Sequence, residues 1–74
     1  MRESNKTGFA PYLRQQRMRC GVVLPKLAVI SRLSLPRLIE LESGAALPEP
    51  SELRRLAKAL DIPTETIFAK AGRF

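Results

Sequence analysis

One stretch of twenty residues, Leu24 to Ser43, constrains the fold of this chain more than any other. Its apolar and small residues form two groups at helical spacing, which are Leu24, Leu27, Ala28, Ser31 and Leu35, Leu38, Ile39, Leu41. Ser34 is placed to cap the second group, because its hydroxyl can accept a hydrogen bond from a backbone N–H of the first turn. Pro36 falls in that turn, where a missing N–H costs least. Two short helices joined by a tight turn are predicted, which is a helix-turn-helix unit at about residues 24–43.

The rest of the sequence predicts three further helices around this unit. Glycine and proline punctuate the chain, and a stripe at i, i+3, i+4 and i+7 spacing begins at Leu53. The predicted helices are Phe9–Arg19, Leu24–Ser31, Leu35–Ser43, Pro50–Leu60 and Thr64–Lys70. Since no strand-like alternation appears, we expect an all-α, five-helix bundle at residues 9–72, preceded by a flexible basic arm at residues 1–8.

The positive charge of the chain is unevenly distributed. The formal net charge is +6, yet residues 1–37 hold eight Lys or Arg and one acid, whereas residues 38–74 hold five against six acids. A basic balance of this kind favours a polyanionic partner, either nucleic acid or an anionic membrane. We expect no membrane partner, because no helix is both strongly basic on one face and strongly apolar on the other. Nucleic acid is therefore the predicted partner.

Nine positions in and around the central stretch keep the residue types and the spacing of a known family. They are Gly21, Leu27, Ala28, Leu33, Ser34, Leu38, Leu41, Glu42 and Gly44. This ordered series resembles the lambda-repressor and Cro-like family of helix-turn-helix DNA-binding domains, and the resemblance extends over about residues 9–72. It implies a sequence-specific, repressor-like transcription regulator whose third helix enters the major groove of double-stranded DNA.

Departures from the family pattern leave an alternative open. Leu24 stands where a glutamine usually opens the second helix, and Arg32 stands where the turn usually has glycine. Leu35 and Pro36 occupy the tip of the third helix, where polar side chains are common. The alternative function is a small protein-interaction module on the same scaffold, one that docks on the transcription machinery.

The resemblance places the base-reading candidates at the start of the third helix. These candidates are Ser34, Leu35 and Arg37. Arg37 is the long donor of the set, and its guanidinium is suited to guanine O6 and N7, while Leu35 is suited to a thymine methyl group. The alternatives for Arg37 are a phosphate contact and a solvated charge.

Other basic residues are the candidates for phosphate contacts. They are Arg14, Arg17, Lys26 and Arg32, with Arg2 and Lys6 as further candidates on the N-terminal arm. The alternative for Arg17 is a salt bridge inside the fold with Glu42, since the family often pairs these two positions.

The sequence lacks the groups that most catalytic and metal sites require. It has no histidine, one cysteine and no glycine-rich phosphate loop. We therefore predict no enzymatic activity, no catalytic residue, no metal and no cofactor. A single cysteine, Cys20, excludes an intrachain disulfide, and together with the absence of a membrane-spanning stretch it favours a cytoplasmic location.

The C-terminal segment carries more apolar bulk than a monomer of this size requires. Ile67, Phe68 and Phe74 lie within eight residues of one another. Adjacent residues on a helix cannot both face the core, so one of Ile67 and Phe68, together with Phe74, is expected at the surface. These three residues are the candidates for a weak homodimer contact.

Overall fold

The computed structural model describes residues 8–72, and within that range the chain forms five α-helices and no strand. The helices are α1 Phe9–Arg19, α2 Leu24–Ser31, α3 Leu35–Ser43, α4 Pro50–Leu60 and α5 Thr64–Lys70. The all-α fold and the helix bounds predicted from the sequence are therefore confirmed. Apart from Gly8, the predicted N-terminal arm lies outside the described residues, as do its candidates Arg2 and Lys6, and so does Phe74.

Local sequence signals explain where the central helices begin and end. Proline lies in the first turn of α2, α3 and α4. The backbone N–H of Arg37 donates to Oγ of Ser34 at 3.2 Å, which is the predicted cap of α3. Gly44, with φ of 84°, closes α3 in the left-handed conformation that glycine adopts without strain. The helix-turn-helix unit is thus delimited by its own residues at both ends.

The core lies where α1 and α2 pack against α3, and α4 packs against α2 and α5. Its fully buried large side chains are Phe9, Leu13, Leu27, Leu38, Leu41, Leu53, Leu56, Leu60 and Ile67. Burial of each such side chain stabilises the fold by about 1.5–3 kcal/mol relative to exposure. Because α3 contributes residues to the middle of this core, its orientation is fixed by the packing of the whole bundle.

The position of α5 corrects one residue of the predicted dimer contact. Ile67 is fully buried, so it is not available to a second chain. Its neighbour Phe68 is half-buried, and the guanidinium carbon of Arg54 lies 5.8 Å from the centre of its ring. The reason is geometric, because α5 docks on α4 with the Ile67 side and adjacent side chains point in different directions.

The turn between α2 and α3 contains an unusual backbone conformation. Arg32 occupies the left-handed region, with φ of 62° and ψ of 32°. This conformation costs a residue with a side chain about 1 kcal/mol relative to glycine. Two contacts hold the turn in place: Leu33 is buried next to it, and Nη1 of Arg55 on α4 donates to the carbonyl oxygen of Arg32 at 3.1 Å.

Candidate nucleic-acid interface

Helix α3 presents two chemically different faces. The inner face buries Leu38, Leu41 and Glu42. The outer face exposes the side chains of Leu35, Pro36, Ile39, Glu40 and Ser43. Leu35 is 36% exposed and Ile39 is 51% exposed, which is high for large aliphatic side chains. The outer face of α3 is therefore apolar and acidic, although the chain as a whole is basic.

The guanidinium of Arg37 is held by neighbours at the first turn of α3. Its Nε donates to Oε2 of Glu52 at 2.8 Å, and its Nη2 donates to Oε1 of Glu52 at 3.0 Å. Nη2 also donates to the carbonyl oxygen of Leu47 at 3.1 Å, and Nη1 donates to Oε1 of Glu40 at 3.2 Å. We call the Arg37–Glu52 pair the N-terminal clamp, because it ties the start of α3 to the first turn of α4.

The electrostatics of the N-terminal clamp follow from its hydrogen bonds. The bond from Arg37 lowers the pKa of the Glu52 carboxyl below its ordinary value and outweighs the opposing effect of burial. The backbone N–H of Glu49 donates to Oε1 of Glu52 at 2.8 Å and lowers this pKa further. In return, Glu52 raises the pKa of Arg37. Both groups are thus charged and mutually compensated at neutral pH.

This geometry changes the role assigned to Arg37. A guanidinium has five N–H donors. The guanidinium of Arg37 donates four hydrogen bonds to other residues of the fold. A bidentate contact with guanine would require the N-terminal clamp to open. This structure therefore does not support base reading, a phosphate contact or a solvated charge for Arg37, because its guanidinium forms an intramolecular ion pair. Base reading by Ser34 and Leu35 stays a prediction.

A second ion pair holds the other end of α3. Nε of Arg17 on α1 donates to Oε2 of Glu42 at 2.6 Å, and its Nη2 donates to Oε1 at 3.1 Å. Nη1 of Arg17 donates to the carbonyl oxygen of Val22 at 3.1 Å, and Nη2 of Arg14 donates to the carbonyl oxygen of Glu42 at 2.9 Å. We call the Arg17–Glu42 pair the C-terminal clamp. Of the two interpretations of Arg17, the structure favours the salt bridge over the phosphate contact.

The remaining phosphate candidates are placed differently. Lys26 on α2 and Arg32 in the turn are exposed, and their side chains make no hydrogen bond or ion pair with any other residue between 8 and 72. Arg14 is exposed as well, but one of its nitrogens is already bound to the end of α3. Within the part of the chain that the structure describes, Lys26 and Arg32 therefore keep their donors available for an external anion.

Two acidic residues of this site were not identified from the sequence. Glu52 and Glu40 both bind Arg37, and Glu52 is buried. One sequence signal does point to Glu52: it lies four residues before Leu56 and eight before Leu60, which places it beside the buried stripe of α4. A carboxylate in such a position requires a cationic partner, because an unpaired buried charge is costly.

Apolar exposure continues on the helix that precedes α3. Val29 and Ile30, in the last turn of α2, are 74% and 41% exposed. Within the described part of the chain, no helix has the length and apolarity needed to cross a membrane. That part also contains no cluster of three or more Cys, Asp or Glu side chains arranged to hold a metal ion. The conspicuous features of this surface are thus exposed aliphatic groups and uncommitted cations.

Comparison with known sequences agrees with the helix-turn-helix unit seen in the fold. A family profile described as a helix-turn-helix domain matches residues 9–67. An uncharacterized HTH-type transcriptional regulator of Mycobacterium tuberculosis, found in two strains, is 34% identical over 61 residues, which are 82% of this chain and 44% of the relative. The uncharacterized HTH-type transcriptional regulator RghRB of Bacillus subtilis is 32% identical over 65 residues, 86% of this chain and 47% of the relative. This chain spans less than half the length of these curated relatives.

Proposed function

Because this chain belongs to the helix-turn-helix domain family, we propose that it is the DNA-binding part of a transcription regulator, with α3 entering the major groove of duplex DNA. The similarity of the chain to HTH-type transcriptional regulators supports this function. An α-helix with its side chains is about 10–12 Å in diameter, which is comparable to the roughly 12 Å width of the major groove.

The observation that carries the proposal is that α3 is held rigidly while its outer face stays exposed. Ion pairs fix both of its ends to other helices, its inner face is buried, and its outer face is left without a cover among residues 8–72. A helix held this firmly reaches DNA without loss of conformational freedom, so little binding energy is spent on ordering it. Lys26 on α2 and Arg32 in the turn before α3 supply charge for the phosphate backbone.

The proposed division of labour among the side chains follows from their surroundings. Ser34 and Leu35 contact base edges, while Lys26, Arg32 and Arg14 contact phosphates. Arg17 and Arg37 do neither, since their guanidinium groups hold α3 in position. The protein acts by binding and not as an enzyme, and its action on transcription is repressor-like.

The proposed active form is a weak homodimer in the cytoplasm. Two domains related by a two-fold axis would place their recognition helices roughly 34 Å apart, which matches one turn of DNA. Among the described residues, Phe68 is the candidate for the contact between the chains, because its ring is half-exposed while Ile67 is buried. Phe74 belongs to the same proposal but lies outside the described residues.

A second candidate function is supported by the exposed aliphatic groups of α2. Val29 is 74% exposed and lies next to Ile30, and neither side chain is suited to a phosphate backbone. A protein partner in the transcription machinery would cover such a surface. Under this alternative, the affinity for DNA is low and insensitive to the residues on α2.

Titration of random-sequence duplex DNA at 50 mM and 200 mM salt tests the leading proposal. If two domains neutralise about four to eight phosphates, the affinity should fall by about two to four orders of magnitude over this range, because counterions are released on binding. Lys26→Ala should weaken binding to all sequences similarly and reduce the salt dependence. Lys58→Ala is the matched control, because Lys58 is an exposed lysine on α4. Absence of binding at low salt would reject DNA binding in favour of the protein-interaction alternative.

A further inference from the structure

We propose that the outer face of α3 recognises the 5-methyl groups of pyrimidine bases, chiefly thymine, through Leu35 and Ile39. This inference rests on the proposed function, because it concerns the groove edge that α3 would meet. It specifies which chemical groups of the DNA carry the preference. It also assigns Ile39 to the surface that contacts the bases. The sequence pattern alone only groups Ile39 with the other apolar residues of the third helix.

The first step is the arrangement of the two aliphatic side chains. Leu35 and Ile39 are four residues apart, so they lie on the same side of α3 about 5–6 Å from each other. Both are substantially exposed, whereas the other large aliphatic residues of α3, Leu38 and Leu41, are fully buried. Base pairs in DNA are stacked about 3.4 Å apart. The two side chains therefore match methyl groups on neighbouring or next-neighbouring bases.

The second step is the lack of an available long donor on this face. Guanine presents two acceptors in the major groove, and recognition of guanine therefore depends on donors such as a free guanidinium. Arg37 is engaged with Glu52, Glu40 and the Leu47 carbonyl. The exposed outer-face residue Glu40 is an acceptor when ionised. It is suited to the N4 amino group of cytosine and unsuited to guanine.

The third step is the choice between DNA and a protein as the partner of the outer face of α3. An exposed aliphatic face also fits a protein, but the neighbouring charges favour DNA. The side chains of Lys26 and Arg32 remain uncommitted in the described range, one on α2 and one in the turn that leads directly into α3. The cations Lys26 and Arg32 complement a phosphate backbone, and the aliphatic side chains of α3 complement the thymine methyl groups of the groove that this backbone flanks.

The test compares thymine with uracil, which lacks only the 5-methyl group. A duplex is first selected from a random-sequence pool by its affinity for the protein. Thymidines of that duplex are then replaced with deoxyuridine, singly and together, and dissociation constants are measured at fixed salt. We expect each contacted methyl group to contribute about four-fold in affinity, since burial of one methyl-sized group is worth about 0.8 kcal/mol. Replacement of the same thymidines with 5-methylcytosine, which keeps the methyl group, should retain the tight binding.

Two variants and a control assign the effect to its side chains. Leu35→Ala and Ile39→Ala should each weaken binding to the thymine duplex and reduce the difference between thymine and uracil. Leu47→Ala is the control, because Leu47 is a similarly exposed aliphatic residue in the loop after α3. Its substitution should leave the difference unchanged. Melting temperatures measured in parallel separate a loss of folding from a loss of methyl recognition.

The outcomes distinguish this inference from the function on which it rests. Equal affinity for thymine and uracil duplexes, with strong salt-dependent binding to both, would overturn methyl recognition and leave DNA binding intact. A selected site whose affinity depends on guanine N7 and not on any methyl group would do the same. Absence of binding to every duplex at low salt would instead remove the proposed function itself.

Discussion

The two ends of α3 are held by similar ion pairs in different surroundings. At the C-terminal clamp the side chains of Arg17 and Glu42 are 15% and 8% exposed, whereas at the N-terminal clamp those of Arg37 and Glu52 are 28% and 11% exposed. The more enclosed pair is less screened by water, so more free energy depends on keeping both of its members. The C-terminal clamp should therefore matter more for folding.

Neighbouring helices compensate the two charges of α3 that are unfavourable at its ends. Arg37 lies in its first turn and Glu42 near its last residue, and both charges oppose the helix dipole. Glu52 brings a negative charge to the first end, and Arg17 brings a positive charge to the other. Tertiary contacts thus supply the signs that the sequence of α3 lacks. As an isolated peptide, α3 would be a poor helix.

The largest effect is expected from breaking the C-terminal clamp. Arg17→Ala leaves the carboxylate of Glu42 buried without its partner, which should lower the free energy of unfolding by about 3–5 kcal/mol. Chemical denaturation followed by circular dichroism measures this loss. Arg19→Ala is the control, since Arg19 lies on the same helix and bonds only to Gln16 among the residues described. Similar losses in the two variants would show that the ion pair is not what holds this end.

A smaller effect is expected from breaking the N-terminal clamp. Arg37→Ala removes the contacts to Glu52, Glu40 and the Leu47 carbonyl, and we expect a loss of about 1–3 kcal/mol. For a domain of this size, that corresponds to a fall in melting temperature of about 4–8 °C per kcal/mol. Lys58→Ala should have little effect. A larger loss for Arg37→Ala than for Arg17→Ala would reverse the proposed order of the two clamps.

The same variant separates positioning from base reading. If Arg37 only positions α3, Arg37→Ala should weaken binding to a selected duplex and to its single-base variants by similar factors. A loss confined to one base pair, of about 1–3 kcal/mol, would instead show that the N-terminal clamp opens and that Arg37 reads that base.

The smallest effect is expected from pH. The pKa of Glu52 is lowered in the folded state, so its stabilising contribution is present above the unfolded-state pKa of about 4.3 and is lost as the pH falls through the folded-state pKa. Glu52→Gln should therefore cost about 1 kcal/mol at pH 7 and progressively less toward pH 3. Thermal melts across this range measure the change, with Glu65→Gln at an exposed position as the control. A difference that does not vary with pH would contradict the ionised pair.

Local patterns in the sequence were sufficient for the helices but not for the partners of the charged residues. Ser34, Pro36 and Gly44 act within their own helix, so the bounds of α3 follow from nearby residues alone. The partner of Arg37 is Glu52, fifteen residues later on another helix, and its identity depends on how α3 and α4 are oriented. The sequence predicts the pairing of Arg17 with Glu42 only through the family resemblance, which supplies that contact.

The sequence pattern also does not predict which apolar side chains of α3 are exposed. Leu35, Leu38, Ile39 and Leu41 all fit a helical apolar pattern, yet only Leu38 and Leu41 reach the core. A nine-residue helix cannot bury every side with three neighbouring helices, and the position of Glu42 toward Arg17 fixes which side faces inward. The outward position of Leu35 and Ile39 is therefore a property of the bundle and not of the helix alone.

The separation of the two faces of α3 also bears on how such a domain acquires new targets. The core contacts and both clamps use its inner face and its ends, whereas Leu35, Ile39 and Ser43 project outward. Under the proposed function, mutations at Leu35 and Ile39 should alter target choice while the scaffold that supports them stays folded. A combinatorial library restricted to these codons is accordingly a compact starting point for engineered variants, and natural drift at the same sites offers a short route to divergent regulons.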